Sequence, residues 1–299
     1  MKRRRFFQYA GLTTAGFVLA TRDRVLAFSP QKNSTSLKPF NFETLTVDQR
    51  GRVKQTKRHT VQLFSESLVD QDTLEMIAIA PGKFWMGASR GEPKSNELPR
   101  HQVSLPSFFL SKYPITQRQW RLVATLPKVR RELNPMPSHF SGDDRPVESI
   151  SWLEAVEFCD RLSQSTNRRY QLPSEAQWEY ACRGGTQTPF YTGETITSQF
   201  ADYVSTYTYR QETPNPYPRS TVAVGRFSPN AFGLYDLHGN VWEWCRDRWQ
   251  DRSRSVFQQR RTIRGGSWLD HPSQIRSASR SGYLETHLNR TIGFRVSTV

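Results

Sequence analysis

Apolar and polar residues alternate most clearly over Leu74–Ile79, and this period of two predicts a β-strand. A Pro81-Gly82 turn and a second apolar segment, Phe84–Gly87, follow directly, so we expect the two strands to pair as a hairpin. A weaker alternation over residues 40–47 predicts an edge strand.

Three short helices are predicted by capping boxes, in which a Ser or Thr is followed three residues later by Glu or Gln. The pairs are Thr116 with Gln119, Ser151 with Glu154, and Ser174 with Gln177. After Ser151 apolar residues recur at helical spacing, which indicates that this helix packs one face on a core. From Arg183 to Val299 no helical period is sustained. We therefore expect a mixed α/β domain with little regular secondary structure, in which aromatic side chains hold the loops.

The first residues have the layout of a cleavable export signal: Lys2–Arg5 is basic, Tyr9–Ala20 is apolar, and Val25–Ala27 suits a signal peptidase. Arg3 to Phe7 also fits the twin-arginine pattern of a pathway that exports folded proteins. We expect residues 1–27 to be this signal, cleaved after Ala20 or Ala27, and the mature protein to be periplasmic or extracellular. An uncleaved anchor or a basic tail is the alternative.

Residues 28–73 are interpreted as a linker and peripheral N-terminal arm, and residues 74–299 as one domain. The chain has 299 residues, a formal charge of +15 and a mean hydropathy of −0.69. No apolar run is long enough to span a membrane. The composition excludes a coiled coil, and three cysteines cannot all pair within the chain.

Between Arg246 and Arg264 the sequence holds seven arginines against two aspartates. The segment lacks a nucleic-acid motif and the aromatic platform of a single-strand binder, so we expect no nucleic-acid partner. We interpret the basic loop as a solvated face and expect a monomer.

A glycine turn at 236–243 concentrates oxygen ligands of the kind that Ca²⁺ requires. Asp236 and Glu243 carry carboxylates, and Gly239 and Val241 have backbone carbonyls that a bent loop can direct to one point. The alternative is a turn held only by its own hydrogen bonds. The six histidines form no HxxxH or HxH pair, so a catalytic metal is less favoured.

Several ordered motifs carry a family resemblance. They are Tyr113-Pro114-Ile115-Thr116, Pro146–Trp152, Leu172–Gly185, Gly239–Trp244, Arg264-Gly265-Gly266-Ser267-Trp268 and Gly293-Phe294-Arg295-Val296. Together they resemble the sulfatase-modifying factor family, whose founding activity is the formylglycine-generating enzyme, from about Leu74 to Val299. The resemblance implies a single α/β domain of C-type-lectin-like fold. It also implies structural calcium at Asp236, Gly239, Val241 and Glu243.

The sequence departs from that family at the catalytic positions. The oxidising enzymes carry two cysteines five residues apart that bind copper, and the matching positions here are Asp270 and Ile275. Aspartate is a hard ligand for Cu(I) and isoleucine is no ligand at all. We therefore expect neither copper binding nor formylglycine generation, and we favour a protein that is not an enzyme. A protein-modifying oxidase that recruits its metal through Asp270 and His271 is the alternative.

What remains is a binding scaffold. The same fold serves diversity-generating retroelements, which vary the segment between Arg-Gly-Gly-Ser-Trp and Gly-Phe-Arg-Val. Here Pro272, Arg276–Ala278 and Arg280 would be frame, and most other positions of 269–291 carry residues reachable from an Asn codon. We predict a surface for an unknown protein or small ligand in this interval. Its contacts are Trp268, Asp270, His271, Arg276, Arg280, Tyr283, Leu284, His287 and Arg290.

Overall fold

The computed structural model describes residues 36–69, 72–88, 95–250 and 259–299. The predicted export signal lies outside these residues. The strands in chain order are β1 Lys38–Val47, β2 Val53–Ser67, β3 Thr73–Ile79, β4 Gly82–Met86, β5 His101–Leu105, β6 Phe108–Ser111, β7 Trp242–Arg248, β8 Arg260–Arg264, β9 Arg280–Leu284, β10 Ile292–Gly293 and β11 Ser297–Thr298. The helices are α1 Gln117–Ala124, α2 Trp152–Thr166 and α3 Glu175–Arg183. The fold is mixed α/β with little regular structure, as the sequence predicts.

A five-stranded antiparallel sheet has the order β1-β2-β3-β6-β11, and β4 and β5 form a separate two-stranded sheet. The predicted hairpin of β3 with β4 is therefore wrong. β3 lies in the centre of the larger sheet, where β2 and β6 occupy both of its edges, and Ile77 is fully buried. Since neither edge of β3 is open, β4 pairs with the next strand along the chain.

β7, β8 and β9 form a second antiparallel sheet, and β10 adds to β7 in parallel. The short C-terminal strands thus complete both large sheets. β2 pairs with β3 from Leu63 to Ser67, so the predicted N-terminal arm contributes two strands to the main sheet. The described residues from 36 onwards belong to one compact unit, and residue 74 marks no boundary within it.

All three predicted capping boxes are present, with the reciprocal bonds between N-cap and N3 formed at Thr116, Ser151 and Ser174. α2 buries Ala155, Phe158, Cys159 and Leu162 on one face, which confirms the packing predicted from the helical spacing. Among the described residues no helix has the length and apolar character needed to cross a membrane.

Candidate functional site

The Arg264–Trp268 motif ends β8 and begins the loop that returns to β9. The Arg264 guanidinium is fully buried, pairs with Glu179 of α3, and donates to the carbonyls of Ser277, Ser279 and Ala278. Because these groups belong to a helix, a strand end and the loop itself, the Arg264 side chain fixes the backbone path of the loop between β8 and β9. A charge buried in this way is tolerated only when it is paired and hydrogen-bonded.

Gly266 adopts a φ of +74° in this loop, and a Cβ there would lie 2.3 Å from Ile275 Cγ2. Ile275 is completely buried. The position of the second copper cysteine in the oxidising enzymes is therefore filled by an aliphatic side chain packed against backbone.

A cavity of about 240 Å³ opens beside Asp270, at the position of the first copper cysteine. It is lined by Asn96, Trp242, Asp270, Gln274, Ser279, Arg280, Ser281 and Tyr283. Trp242 Nε1 donates to Asp270 Oδ2 over 2.8 Å, and the backbone N–H and hydroxyl of Ser267 donate to the same oxygen. The Asp270 carboxylate is thus held by the cavity wall.

No thiolate is available at this cavity. All three cysteines are free and buried, and burial raises the pKa of Cys182 to about 12 and also raises the pKa values of Cys159 and Cys245 well above the usual range. Cys182 Sγ lies 3.6 Å from Ser277 Oγ within the core. The donor set required for Cu(I), two soft sulfur ligands, is not present, so the residues here do not fit copper.

Two of the nine predicted ligand contacts, Trp268 and Arg276, are internal, and a third, Arg280, lies in the cavity walls but is engaged by an ion pair; the three are corrected here. Trp268 is 3 % exposed and packs edge-on against Phe140, because its ring covers the base of the loop. Arg276 is buried and makes a bidentate ion pair with Glu97 at 2.7 and 3.0 Å. Arg280 makes a bidentate pair with Glu175, both contacts at 2.6 Å. Guanidinium groups engaged in this way are not free to bind carboxylate or phosphate.

The remaining predicted contacts are accessible. His271, Leu284 and Arg290 are exposed, and the Tyr283 and His287 rings stack with centroids 4.8 Å apart. Tyr283 also lines the cavity, whereas His287 lies behind it in the stack. The structure therefore divides the predicted surface into an internal frame and an accessible rim around the cavity.

A larger cavity of about 570 Å³ adjoins the first, since both are lined by Asn96 and Arg280. Its other walls are Met86, Gly87, Glu97, Leu98, Pro99, His101, Glu175, Glu179, Asp247, Arg248, Gln250 and Ala278. Sequence reasoning missed this cavity because its walls come from β4, α3, β7 and β9. In the sequence, the one indication of this cavity was Glu175, the acidic residue at the start of the capped helix α3.

At the glycine turn, residues 236–243, the acidic side chains differ in how they are hydrogen-bonded. Glu243 is fully buried, and its two oxygens accept bonds from Arg295 at 2.6 and 2.8 Å and from Trp178 Nε1 at 2.6 Å. Both oxygens of this carboxylate are thus engaged by protein donors. The role of calcium ligand that the family resemblance implies for Glu243 stays a prediction.

Asp236, by contrast, retains an unpaired oxygen. Its Oδ2 accepts the N–H of Gly225 over 2.6 Å, while Oδ1 is buried without a hydrogen-bond partner. Neither oxygen of the nearby Asp202 has a partner, although that residue is only 3 % exposed. A Cβ on Gly239 would lie 2.0 Å from the Asp202 carbonyl oxygen, so the turn and the Asp202 loop are in direct contact.

Both aspartates are costly to ionise in the native protein. Burial, followed by the charge of Asp236, raises the pKa of Asp202 to about 7. Burial also raises the pKa of Asp236 to about 6. Within the described residues no three His, Cys, Asp or Glu side chains cluster as metal ligands, so further ligands for a cation here would have to be neutral oxygens.

Comparison with known proteins agrees with this architecture. The solved structure of Treponema denticola variable protein 1 matches with a TM-score of 0.64 and 25 % identity, covering 79 % of this chain and 98 % of that one. The structure of PvdO from Pseudomonas aeruginosa gives a TM-score of 0.65 and 28 % identity over 79 % and 97 %.

Among curated relatives, the serine/threonine-protein kinase pkn1 of Chlamydia pneumoniae is 28 % identical over 74 % of this chain. This chain spans only 37 % of that protein's length. The bovine inactive C-alpha-formylglycine-generating enzyme 2 is 25 % identical over 76 % of this chain and 88 % of its own.

The family model described as the sulfatase-modifying factor enzyme 1-like domain matches residues 61–298. That segment contains both cavities, the glycine turn and the C-terminal strands. The chain is a member of the sulfatase-modifying factor family.

Proposed function

We propose that this protein is a non-catalytic member of its family that binds a ligand or a partner protein at the cavity beside Asp270. One observation carries the proposal: Asp270 and Ile275 stand where the oxidising enzymes have cysteines, and both are built into the wall and core. A family with a relative named as inactive accommodates such a member.

The chemistry of the cavity favours a small polar group that presents both donors and acceptors. Ser281 and Gln274 supply hydroxyl and amide groups, and Trp242 and Tyr283 supply aromatic surface. Pockets that combine aromatic walls with a few polar groups orient ligands through those groups. His271, Leu284 and Arg290 at the rim would contact the remainder of a larger partner.

A diversified binding loop is the finer version of the proposal, and the similarity to a protein named as variable supports it. The frame residues Pro272, Arg276, Ser277 and Ala278 are buried, whereas Leu269, His271, Ser273 and Thr286 are exposed. Ile275 and Ser279 are buried, so these two positions would not face a ligand.

A single pair of assays tests the function. Purified protein is incubated with Cu(I), oxygen and a Cys-x-Pro-x-Arg peptide, and mass spectrometry measures conversion of cysteine to formylglycine. We expect none. Conversion that disappears in the Asp270→Ala/His271→Ala variant would establish the oxidase instead.

Binding is measured in parallel by capture from an envelope extract on immobilised protein. A specific partner should be lost when Tyr283 and His287 are changed to Ala and retained in a Lys128→Ala control, whose side chain is exposed elsewhere. Equal capture by all three proteins would contradict a site at this cavity.

We further propose that Asp236 and Asp202 hold a structural Ca²⁺ together with backbone carbonyls of the turn, such as those of Gly239 and Val241. Three carboxylate oxygens without donors form a hard-oxygen set of the kind calcium prefers. The ion would supply the positive charge that these carboxylates lack among their hydrogen-bond partners.

Export through a twin-arginine signal is the remaining proposal. It rests on Arg3, Arg4 and the apolar stretch that follows them. Replacing both arginines by lysine should leave the precursor in the cytoplasm, because the two cations are not interchangeable in such recognition. Fractionation followed by immunoblotting measures this, and unchanged export would contradict it.

A further inference from the structure

The β1–β2 hairpin begins before the segment that the family model matches, which starts at residue 61. Residues 38–58 of this hairpin carry six Lys or Arg side chains against two acidic ones. The cations are Lys38, Arg50, Arg52, Lys54, Lys57 and Arg58. Over this short segment the net charge is +4, so positive charge is concentrated on one structural element.

The cationic part of the hairpin faces solvent. Every residue from Val53 to Arg58 is exposed. Alternate residues of a strand point to the same face at intervals of about 6.6 Å, so Lys54, Thr56 and Arg58 form a row. Lys54 and Lys57 have no ion pair within the described part of the chain. Their charges are therefore available to a partner.

A groove of about 490 Å³ lies at Arg58, the last residue of this row. It is lined by Asn41, Phe42, Glu43, Arg58, His59 and Thr60. Arg58 Nε donates to Glu43 over 3.0 Å, but 90 % of the Arg58 side chain is exposed. The Thr60 hydroxyl donates to Asn41 Oδ1 over 2.7 Å, which leaves the Asn41 amide nitrogen as a donor.

The hairpin is fixed on the domain at both ends. Near its base, Lys112 Nζ lies 3.9 Å from the centre of the Phe40 ring, and Gly233 packs against Phe42. At its tip, Gly51 lies against Thr197, and the Val47 N–H donates to the Thr192 carbonyl. A surface ordered before binding loses less conformational entropy when a ligand arrives.

We infer that this hairpin binds an acidic polysaccharide, with an acidic sugar unit at Arg58 and a further acidic unit at Lys54 on the same face, while Lys57 on the opposite face adds to the positive field of the hairpin. Arg58 would hold a carboxylate or sulfate. Asn41 and Glu43, on the same face as Arg58, would bond sugar hydroxyl groups. Glu43 accepts hydrogen bonds and repels anions, so it suits a polymer that also carries hydroxyl donors.

The same groups disfavour a nucleic acid or polyphosphate. A polyphosphate chain has no hydroxyl donors for Glu43, and Phe42 is only partly exposed, so the groove lacks a platform for stacking bases. These polymers therefore serve as comparison ligands that would bind through charge alone.

The test measures binding of the wild type to oligogalacturonate, polyphosphate, poly(dT) and dextran by calorimetry at 50 and 200 mM NaCl. We expect oligogalacturonate to bind and dextran not to bind. The Lys54→Glu/Lys57→Glu variant should bind at least tenfold more weakly, whereas the matched Lys83→Glu/Lys128→Glu control should change less than twofold. The Asn41→Ala/Thr60→Ala variant should lose several-fold affinity for oligogalacturonate only.

Thermal melting of each variant verifies folding. Equal loss in the Lys83/Lys128 control, or an Asn41→Ala/Thr60→Ala variant that keeps full affinity, would overturn the inference. Tighter binding of polyphosphate or poly(dT) than of oligogalacturonate would also overturn it. The Tyr283→Ala/His287→Ala variant should bind oligogalacturonate normally, so this result is independent of the function proposed for the cavity beside Asp270.

Discussion

Two buried clusters of charge in this protein differ in how completely they are neutralised. Under the larger cavity, Glu97, Glu175 and Glu179 pair with Arg276, Arg280 and the two arginines Arg183 and Arg264. At the glycine turn, Asp202 and Asp236 have no cationic partner within bonding distance among the described residues.

We call the first cluster the finished frame, because arginines neutralise its carboxylates, and the second the open site, because its carboxylates lack a cationic partner within bonding distance in the described part of the chain. Buried carboxylates that are matched by guanidinium groups need neither proton nor metal ion, so the frame can hold the cavity walls under varied conditions. Buried carboxylates without donors are costly until a proton or a cation neutralises them. Acidic side chains thus stabilise the fold in the first cluster and are candidate metal ligands in the second.

The largest effect is expected from breaking the finished frame. Changing Glu179 to Gln removes the charge that Arg183 and Arg264 share and leaves both guanidinium groups buried. Loss of one partner of a buried pair costs about 3–5 kcal/mol, so the melting temperature should fall by about 10 °C. Asp143→Asn breaks an exposed pair with Arg121 and should cost less than about 1 kcal/mol. Similar losses in both variants would refute the distinction.

A smaller effect is expected when calcium completes the open site. At pH 8, 1 mM CaCl₂ should raise the melting temperature by several degrees over a chelator control, because an ion that binds only the native state stabilises it. Asp143→Asn, which alters an exposed carboxylate, should respond like the wild type. If scanning calorimetry and metal analysis detect no calcium effect or content, the turn is held by its hydrogen bonds alone.

A third effect concerns pH in the presence of chelator. The native pKa values of Asp202 and Asp236, about 7 and about 6, lie above the ordinary 3.8, so the native state retains protons that the unfolded chain releases. The contribution of this pair to the free energy of unfolding is therefore greatest at low pH and decreases as the pH rises through 6 to 7. Urea unfolding should show the decrease.

Asp202→Asn provides the control for that pH dependence. It removes one of the two charges, so it should flatten the dependence and stabilise the metal-free protein by about 1–2 kcal/mol at pH 8. It should also abolish the response to calcium. A variant with the wild-type pH dependence would show that the two carboxylates do not interact.

Local patterns in the sequence predicted local structure well. Each of the three capping boxes begins a helix, because a cap depends only on residues three apart. The pairing of β3 was mispredicted because its partners, β2 and β6, are chosen by burial on both sides, which adjacent sequence does not record.

The candidate site was predicted in part for the same reason. Residues 269–291 were identified as surface, but Arg276 and Glu97 are 179 positions apart, and no local pattern indicates that they pair. Asp202 and Asp236 likewise meet through contacts of Gly239 and Asn240 with the Asp202 backbone. The motifs locate the loop, and the three-dimensional pairing decides which of its side chains are free.

The placement of β10 and β11 also governs how the domain is assembled. Residues 292–298 add a strand to each large sheet, and Arg295 between them neutralises Glu243 in the core. Folding must therefore bring together segments nearly two hundred positions apart, as in the contact of β11 with β6, and such non-local topology slows folding. A chain cut after Arg290 would keep two open sheet edges and an orphaned buried carboxylate. Such a fragment should aggregate, because unpaired edges recruit other chains.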